Sequence, residues 1–123
     1  MQISKNFNSI SDNMQCPCCN AFVYKEHFIN RVQILRDLVG VPFSLTKKGG
    51  GFYRCSIYNE SIGGAKNSQH LLGNAMDVLT HGWSGDVKWE FIREATALKL
   101  SLGLYNSFFH IDYRSSPVMW YGG

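Results

Sequence analysis

The sequence has no run of about eighteen or more apolar residues, the length that a membrane-spanning helix needs. Its N-terminal segment, residues 1–13, is polar and lacks the apolar core of a signal peptide. We therefore expect a protein that is made in the cytoplasm and has no membrane span. A substrate outside the membrane would then be reached by a holin, by cell lysis or from a virus particle.

Charge is also sparse. Charged residues make up 17% of the 123 residues, and the net charge is only +3. The basic residues form no run, so the composition does not predict a nucleic-acid partner. Hydrophobic residues make up 45% of the chain, which suits one core. We predict a single domain over residues 1–123, in which residues 1–24 form an N-terminal arm and a cysteine-containing loop.

Cysteine occurs at only four positions, namely Cys16, Cys18, Cys19 and Cys55. Their spacing lacks two paired CxxC knuckles, and the adjacent Cys18 and Cys19 would crowd a single ion. Four thiolates nevertheless complete a tetrahedral structural zinc site if Cys55 folds back against the loop. Buried free thiols are the commoner state in a cytoplasmic protein, and a disulfide is the third alternative. The sequence leaves all three open.

Hydrophobic periodicity predicts a mixture of helices and short strands. Apolar residues recur at intervals of three and four over residues 25–39, so a helix is expected that Gly40 ends. A second helix is predicted from Asp86 to about residue 101, and a short helical turn capped by Ser56. Strands are predicted at 42–46, 75–79, 108–113 and 118–121. Gly103 is predicted to start an antiparallel hairpin that forms the C-terminal part.

A candidate metal site lies in the segment from Gly63 to Asp77. His70 and Asp77 can reach one ion if the chain turns at Gly73. Asp77 then lies on a short strand, and a later strand brings in His110, with Asp112 on the same face. Two imidazoles and one carboxylate leave a fourth position open, which is the ligand set of a catalytic zinc.

The residues around this site form a long spaced motif. It reads Ser68-x-His70-x-x-Gly73-x-Ala75-x-Asp77, followed by Phe108-x-His110-x-Asp112. The motif resembles that of the D-alanyl-D-alanine carboxypeptidase family of zinc murein peptidases, found in bacteria and phages. The similarity extends upstream through Arg54 and downstream to Trp120, so it covers most of the chain.

The resemblance implies a small α+β fold shared with hedgehog-like domains, with helices on one face of an antiparallel sheet and a zinc cleft on the other. It also implies that His70, Asp77 and His110 are the zinc ligands. Arg54 matches an arginine that helps to hold the peptide substrate, and Ser68 a polar group beside the metal. From spacing alone, Arg54 is either partly buried with its guanidinium facing a carboxylate, or a surface arginine stacked on Tyr53.

The position of the general base differs from that in many relatives. Many relatives carry an acid three residues before the last histidine, but this chain has Ser107, and serine is a poor base. Asp112 is our first candidate for the base. The alternative is that Asp112 only orients His110. His81, four residues past Asp77, is expected on the surface, although it could reach the site.

These features predict a zinc-dependent metallopeptidase that hydrolyses stem or cross-link peptides of peptidoglycan, as an endolysin or a virion-associated wall peptidase. Other virion proteins are then candidate partners. The alternative from another class is a catalytically weak or inactive structural or wall-binding virion module that keeps the fold and the zinc. A third reading is a structural zinc domain centred on the cysteines.

Overall fold

The computed structural model describes all 123 residues and has an α+β fold, as predicted. The helices are α1 (Glu26–Val39), α2 (Ser56–Ser61) and α3 (Gly85–Ala97), and a 3₁₀ turn spans Gln69–Leu72. The strands are β1 (Gln2–Ser4), β2 (Phe7–Asn8), β3 (Ala75–Leu79), β4 (Ser101–Leu104), β5 (Phe108–Asp112) and β6 (Met119–Tyr121). None of the helices combines the length and the apolar character that crossing a membrane requires.

The two longer helices begin and end where local chemistry favours it. Gly40 ends α1 in the left-handed region, at φ 78°, and its N–H donates to the carbonyl of Arg36. The hydroxyl of Ser84 caps α3 by accepting from the N–H of Val87 at 3.3 Å. The predicted end of α3 near residue 101 was wrong, because Lys99 adopts φ 65° and turns the chain into β4.

The main sheet has four strands in the order β3-β5-β4-β6. Strand β5 pairs antiparallel with both β3 and β4, whereas β6 pairs parallel with β4. The expectation that the last strand is antiparallel was therefore wrong. Both edges of β5 are already paired, so the returning chain joins the free edge of β4 and runs in its direction. Gly103, predicted to start the hairpin, lies inside β4.

Side chains alternate across this sheet, and that alternation separates the core from the site. One face carries Met76 and Val78 of β3 with Phe109 and Ile111 of β5, which join the hydrophobic core of 17 buried residues. Helices α1 and α3 contribute their buried residues to the same cluster, namely Phe28, Ile29, Val32, Leu35, Phe91 and Ala95. Asp77, His110 and Asp112 therefore lie on the other face.

Two other segments differ from the prediction. Residues 42–46 form no strand; a single bridge joins Ser44 to Leu79, whose N–H donates to the Ser44 carbonyl at 2.8 Å. Within the N-terminal arm, β1 and β2 form a small antiparallel pair that carries the buried Phe7. The arm thus contributes to the core, and the cysteine-containing loop follows it.

Candidate metal centre

The pairing of β3 with β5 brings two of the predicted ligands together. Asp77 lies directly opposite His110 in the register, and the Nδ1 atom of His110 is 2.8 Å from Oδ1 of Asp77. His70 approaches from the 3₁₀ turn, where its Nε2 atom is 3.3 Å from Oδ2 of Asp77. The ligand atoms of all three residues lie within 4.8 Å of one another.

The 3₁₀ turn holds His70 through two flanking residues. The hydroxyl of Ser68 accepts from the N–H of His70 at 3.2 Å, which fixes the start of the turn. Gly73 ends it at φ 66°, and a Cβ atom there would lie 1.9 Å from the carbonyl oxygen of Val23. The turn predicted at Gly73 is therefore present, and both its backbone angle and its close neighbour require glycine.

A backbone carbonyl orients the buried imidazole of His70. Its Nδ1 atom lies 2.6 Å from the carbonyl oxygen of Phe52. Because a carbonyl oxygen can only accept, Nδ1 carries the proton and donates to it. Nε2 is therefore the nitrogen that faces Asp77, and it is the one that a metal ion would bind.

Asp112 contacts the other nitrogen of His110. Its Oδ2 atom is 2.7 Å from Nε2 of His110, and Arg114 donates to both carboxylate oxygens, from Nε at 2.9 Å and from Nη2 at 2.6 Å. The carboxylate is fully buried. Burial raises the pKa of Asp112, but the hydrogen bonds from Arg114 and His110 outweigh it and hold the pKa below its usual value.

The same balance keeps Asp77 ionised. Burial raises the pKa of this carboxyl, yet the hydrogen bonds from His110 and His70 hold it well below its usual range. Burial lowers the pKa of His110, while the hydrogen bonds to Asp112 and Asp77 raise it overall. The centre therefore presents a negative carboxylate between two imidazoles, which attracts a cation.

Arg54 lies in the cleft beside this centre. Its guanidinium donates to the Gly50 carbonyl at 2.7 Å, to the Asn59 side-chain oxygen at 3.2 Å and to Oδ2 of Asp77 at 3.3 Å. The sequence left two placements of the Arg54 side chain open, and the structure has the one in which the guanidinium faces a carboxylate, that of Asp77. Asn59 is buried and donates to the Ala65 carbonyl at 2.9 Å, so it fixes the arginine in turn.

An open cleft of about 370 Å³ contains these groups. The lining residues that were given no site role from the sequence include Tyr105, Arg114 and Trp120. The Trp120 indole donates to the Tyr105 hydroxyl at 2.9 Å and lies over Gly103, where a Cβ atom would come within 2.6 Å of the ring. Arg114 continues the two-residue spacing of His110 and Asp112, which is the one signal that could have identified it.

Two residues considered from the sequence, His81 and Ser107, are not part of the lining of this cleft. His81 is exposed after β3, and neither it nor Ser107 lines the cleft. Among the residues that line it, Asp112 is the only carboxylate other than Asp77. Apart from these two, the cleft has no carboxylate that could replace the acid that many relatives carry at the position of Ser107.

The donor set fits zinc. Two imidazoles and one ionised carboxylate converge within reach of one ion, in a cleft that leaves room for a further ligand. Each histidine also contacts an acceptor through its other nitrogen, as metal-bound histidines usually do.

The comparison with protein families agrees with this geometry. A family model described as Peptidase M15 matches residues 4–112, which include all three candidate ligands. A comparison with curated proteins gives no match.

Proposed function

Since this chain belongs to the M15 peptidase family, whose members are zinc-dependent, we propose that it hydrolyses peptide bonds in the stem or cross-link peptides of peptidoglycan. The observation that carries the proposal is the convergence of His70, Asp77 and His110 at the floor of an open cleft. When bound there, zinc would lower the pKa of a coordinated water and polarise the scissile carbonyl.

The cleft offers positive charge to the substrate. Arg54 and Arg114 both line it, and Arg114 keeps 36% of its side chain exposed. Guanidinium groups bind carboxylates in two-pronged pairs, and peptidoglycan peptides carry free carboxylates. We assign substrate positioning to Arg54, whose bonds to Gly50 and Asn59 fix the guanidinium in advance.

Ser68 and Asp112 act through the ligand histidines in this proposal. Ser68 fixes the backbone of His70, and Asp112 accepts from Nε2 of His110 so that Nδ1 faces the centre. Both oxygens of the Asp112 carboxylate are already engaged by His110 and Arg114, and the group is fully buried. This favours a positioning role for Asp112 over the role of general base.

Digestion of purified peptidoglycan tests the activity. The zinc-loaded protein is incubated with the polymer, and new peptide termini are identified by mass spectrometry. We expect new termini from the unmutated protein and from His81→Ala, a matched control whose histidine is exposed outside the cleft. His70→Ala should release none. The absence of new termini from the unmutated protein would refute the proposal, and the termini that appear distinguish endopeptidase from carboxypeptidase action.

Two substitutions of Asp112 distinguish its roles. Asn keeps an oxygen that can accept from Nε2 of His110 but has no basicity, whereas Ala removes the acceptor. If Asp112 positions His110, Asp112→Asn keeps its zinc and most of kcat, and Asp112→Ala binds zinc about 10- to 100-fold more weakly. A large loss of kcat in Asp112→Asn at unchanged zinc affinity would instead identify Asp112 as the base.

A wall peptidase of this kind suits an endolysin or a virion-associated enzyme, which acts on the wall after release or as part of a particle together with other virion proteins. The second candidate is a catalytically weak structural or wall-binding module that keeps the zinc. The missing acid at Ser107, together with the engaged state of Asp112, favours that alternative. Wall binding without new termini would support it.

A further inference from the structure

The four cysteines meet in a cluster that is separate from the cleft. Cys16, Cys18 and Cys19 come from the loop after β2, and Cys55 precedes α2. Their four sulfur atoms all lie within 4.8 Å of one another. The distance from Cys16 Sγ to Cys18 Sγ is 3.7 Å, and that from Cys18 Sγ to Cys55 Sγ is 3.2 Å. All four thiols are free.

These distances suit a metal ion better than disulfides. A zinc ion bound at about 2.3 Å by four tetrahedral sulfurs separates those sulfurs by about 3.8 Å, since the edge of a tetrahedron is about 1.63 times its radius. A disulfide instead needs about 2.05 Å between its sulfurs. The observed separation of 3.7 Å lies close to the tetrahedral edge, and the separation of 3.2 Å must lengthen by about 0.6 Å to reach it.

The local chain fold removes the objection raised by the spacing. The segment from Cys16 to Ala21 is a tight turn, closed by hydrogen bonds from Asn20 N–H to the Cys16 carbonyl and from Cys16 N–H to the Ala21 carbonyl. Asn20 adopts φ 60°, which reverses the chain. Within this turn the sulfurs of Cys18 and Cys19 lie within 4.8 Å of each other and of the other two, so the adjacent cysteines do not exclude each other.

Backbone N–H groups point at two of the sulfurs. The N–H of Cys55 donates to Sγ of Cys16, and the N–H of Tyr58 donates to Sγ of Cys55, each at 3.4 Å. Donors placed in this way stabilise thiolates, which are the form that binds metal. On the outer side, Lys47 and Lys48 line the same surface cleft as Cys16, and their charge offsets the net negative charge of a four-thiolate zinc centre.

We propose that Cys16, Cys18, Cys19 and Cys55 bind a second, structural zinc ion. Four protein thiolates fill the tetrahedron and leave no open position, so the site is not catalytic. It fastens the cysteine-containing loop to the segment that carries Arg54. The proposal does not depend on peptidase activity, because it is read from metal content and metal ligands alone.

Metal analysis of the purified full-length chain tests this proposal. We expect two zinc ions per chain in the unmutated protein, and one in His70→Ala, which keeps the cysteines. One ion should also remain in the double variant Cys18→Ser/Cys55→Ser, and X-ray absorption of His70→Ala should show only sulfur neighbours at about 2.3 Å. Cobalt substitution of His70→Ala should give thiolate charge-transfer bands.

Other results overturn the proposal. The first is one zinc per chain, with no sulfur neighbours, in the unmutated protein. The second is the absence of zinc from His70→Ala. The third is a loss of titratable thiols under denaturing, metal-free conditions, which would indicate disulfides. Because the absorption and thiol measurements use chains with intact cysteines, the test stands even if the double cysteine variant does not fold. A failure of the peptidoglycan assay would leave these readouts unaffected.

Discussion

Replacement of Gly73 by alanine is the sharpest test of how the chain presents His70. Gly73 adopts φ 66°, and a Cβ atom there would lie 1.9 Å from the carbonyl oxygen and 2.4 Å from the carbonyl carbon of Val23. A side chain in the left-handed region costs about 1–2 kcal/mol. The overlap adds to this, because its partner is backbone and cannot rotate away.

Gly40 supplies the matched control. It adopts φ 78° at the end of α1, and a Cβ atom there would have nothing within 4 Å. Gly40→Ala therefore meets only the left-handed penalty of about 1–2 kcal/mol. We expect Gly73→Ala to exceed it by about 1–3 kcal/mol, the range found when a packed interior must accept extra atoms.

Chemical denaturation of the metal-free variants measures both free energies of unfolding, and zinc titration measures the effect on the centre. Gly73 follows the turn that holds His70, so Gly73→Ala should also weaken zinc binding, whereas Gly40→Ala should not. Equal destabilisation by the two substitutions would refute the argument from the close approach to Val23. Unchanged zinc affinity in Gly73→Ala would refute the link to His70.

Three further predictions concern the cleft. Arg54→Lys cannot reproduce the two hydrogen bonds by which the guanidinium joins Asn59 and Asp77. Because hydrogen bonds to charged groups contribute about 1.5–3 kcal/mol, kcat/KM should fall at least about tenfold. A smaller loss would argue against substrate positioning. Trp120→Phe removes the hydrogen bond to the Tyr105 hydroxyl, so we expect a modest rise in KM at unchanged zinc content. An unchanged KM would show that the substrate does not contact the Trp120–Tyr105 side of the cleft. Loss of the catalytic zinc alone, as in His70→Ala, should abolish activity and leave the circular dichroism spectrum intact, because none of the three ligands belongs to the hydrophobic core cluster. Loss of helix signal would contradict this.

The sequence allowed the strand that carries Asp77 to be predicted with its bounds, because a short apolar run follows the turn at Gly73. The alternation of side chains along a strand placed His110 and Asp112 on one face, which the structure also has. The helix from residue 26 was predictable within one residue from its apolar spacing and from Gly40. These features depend only on residues that are close in the chain.

What could not be predicted depends on contacts between distant residues. The register that places Asp77 opposite His110 is decided by the whole sheet. Tyr105 and Trp120 received no role because only the folded sheet brings them to the cleft. The start of α2 also differs from the prediction, since the sulfur of Cys55 and not the hydroxyl of Ser56 accepts from the first turn.

The two centres are joined by a single peptide bond. Arg54 faces the cleft that contains the candidate metal centre, and Cys55 belongs to the cysteine cluster, while the N–H of Arg54 donates to the carbonyl of His70 at 3.2 Å. Asn59, on the helix that Cys55 begins, holds the same guanidinium. Loss of the cysteine cluster should therefore displace Arg54 first, and the three candidate metal ligands only through Arg54. Because Arg54 is the proposed substrate-positioning residue, KM should change more than kcat.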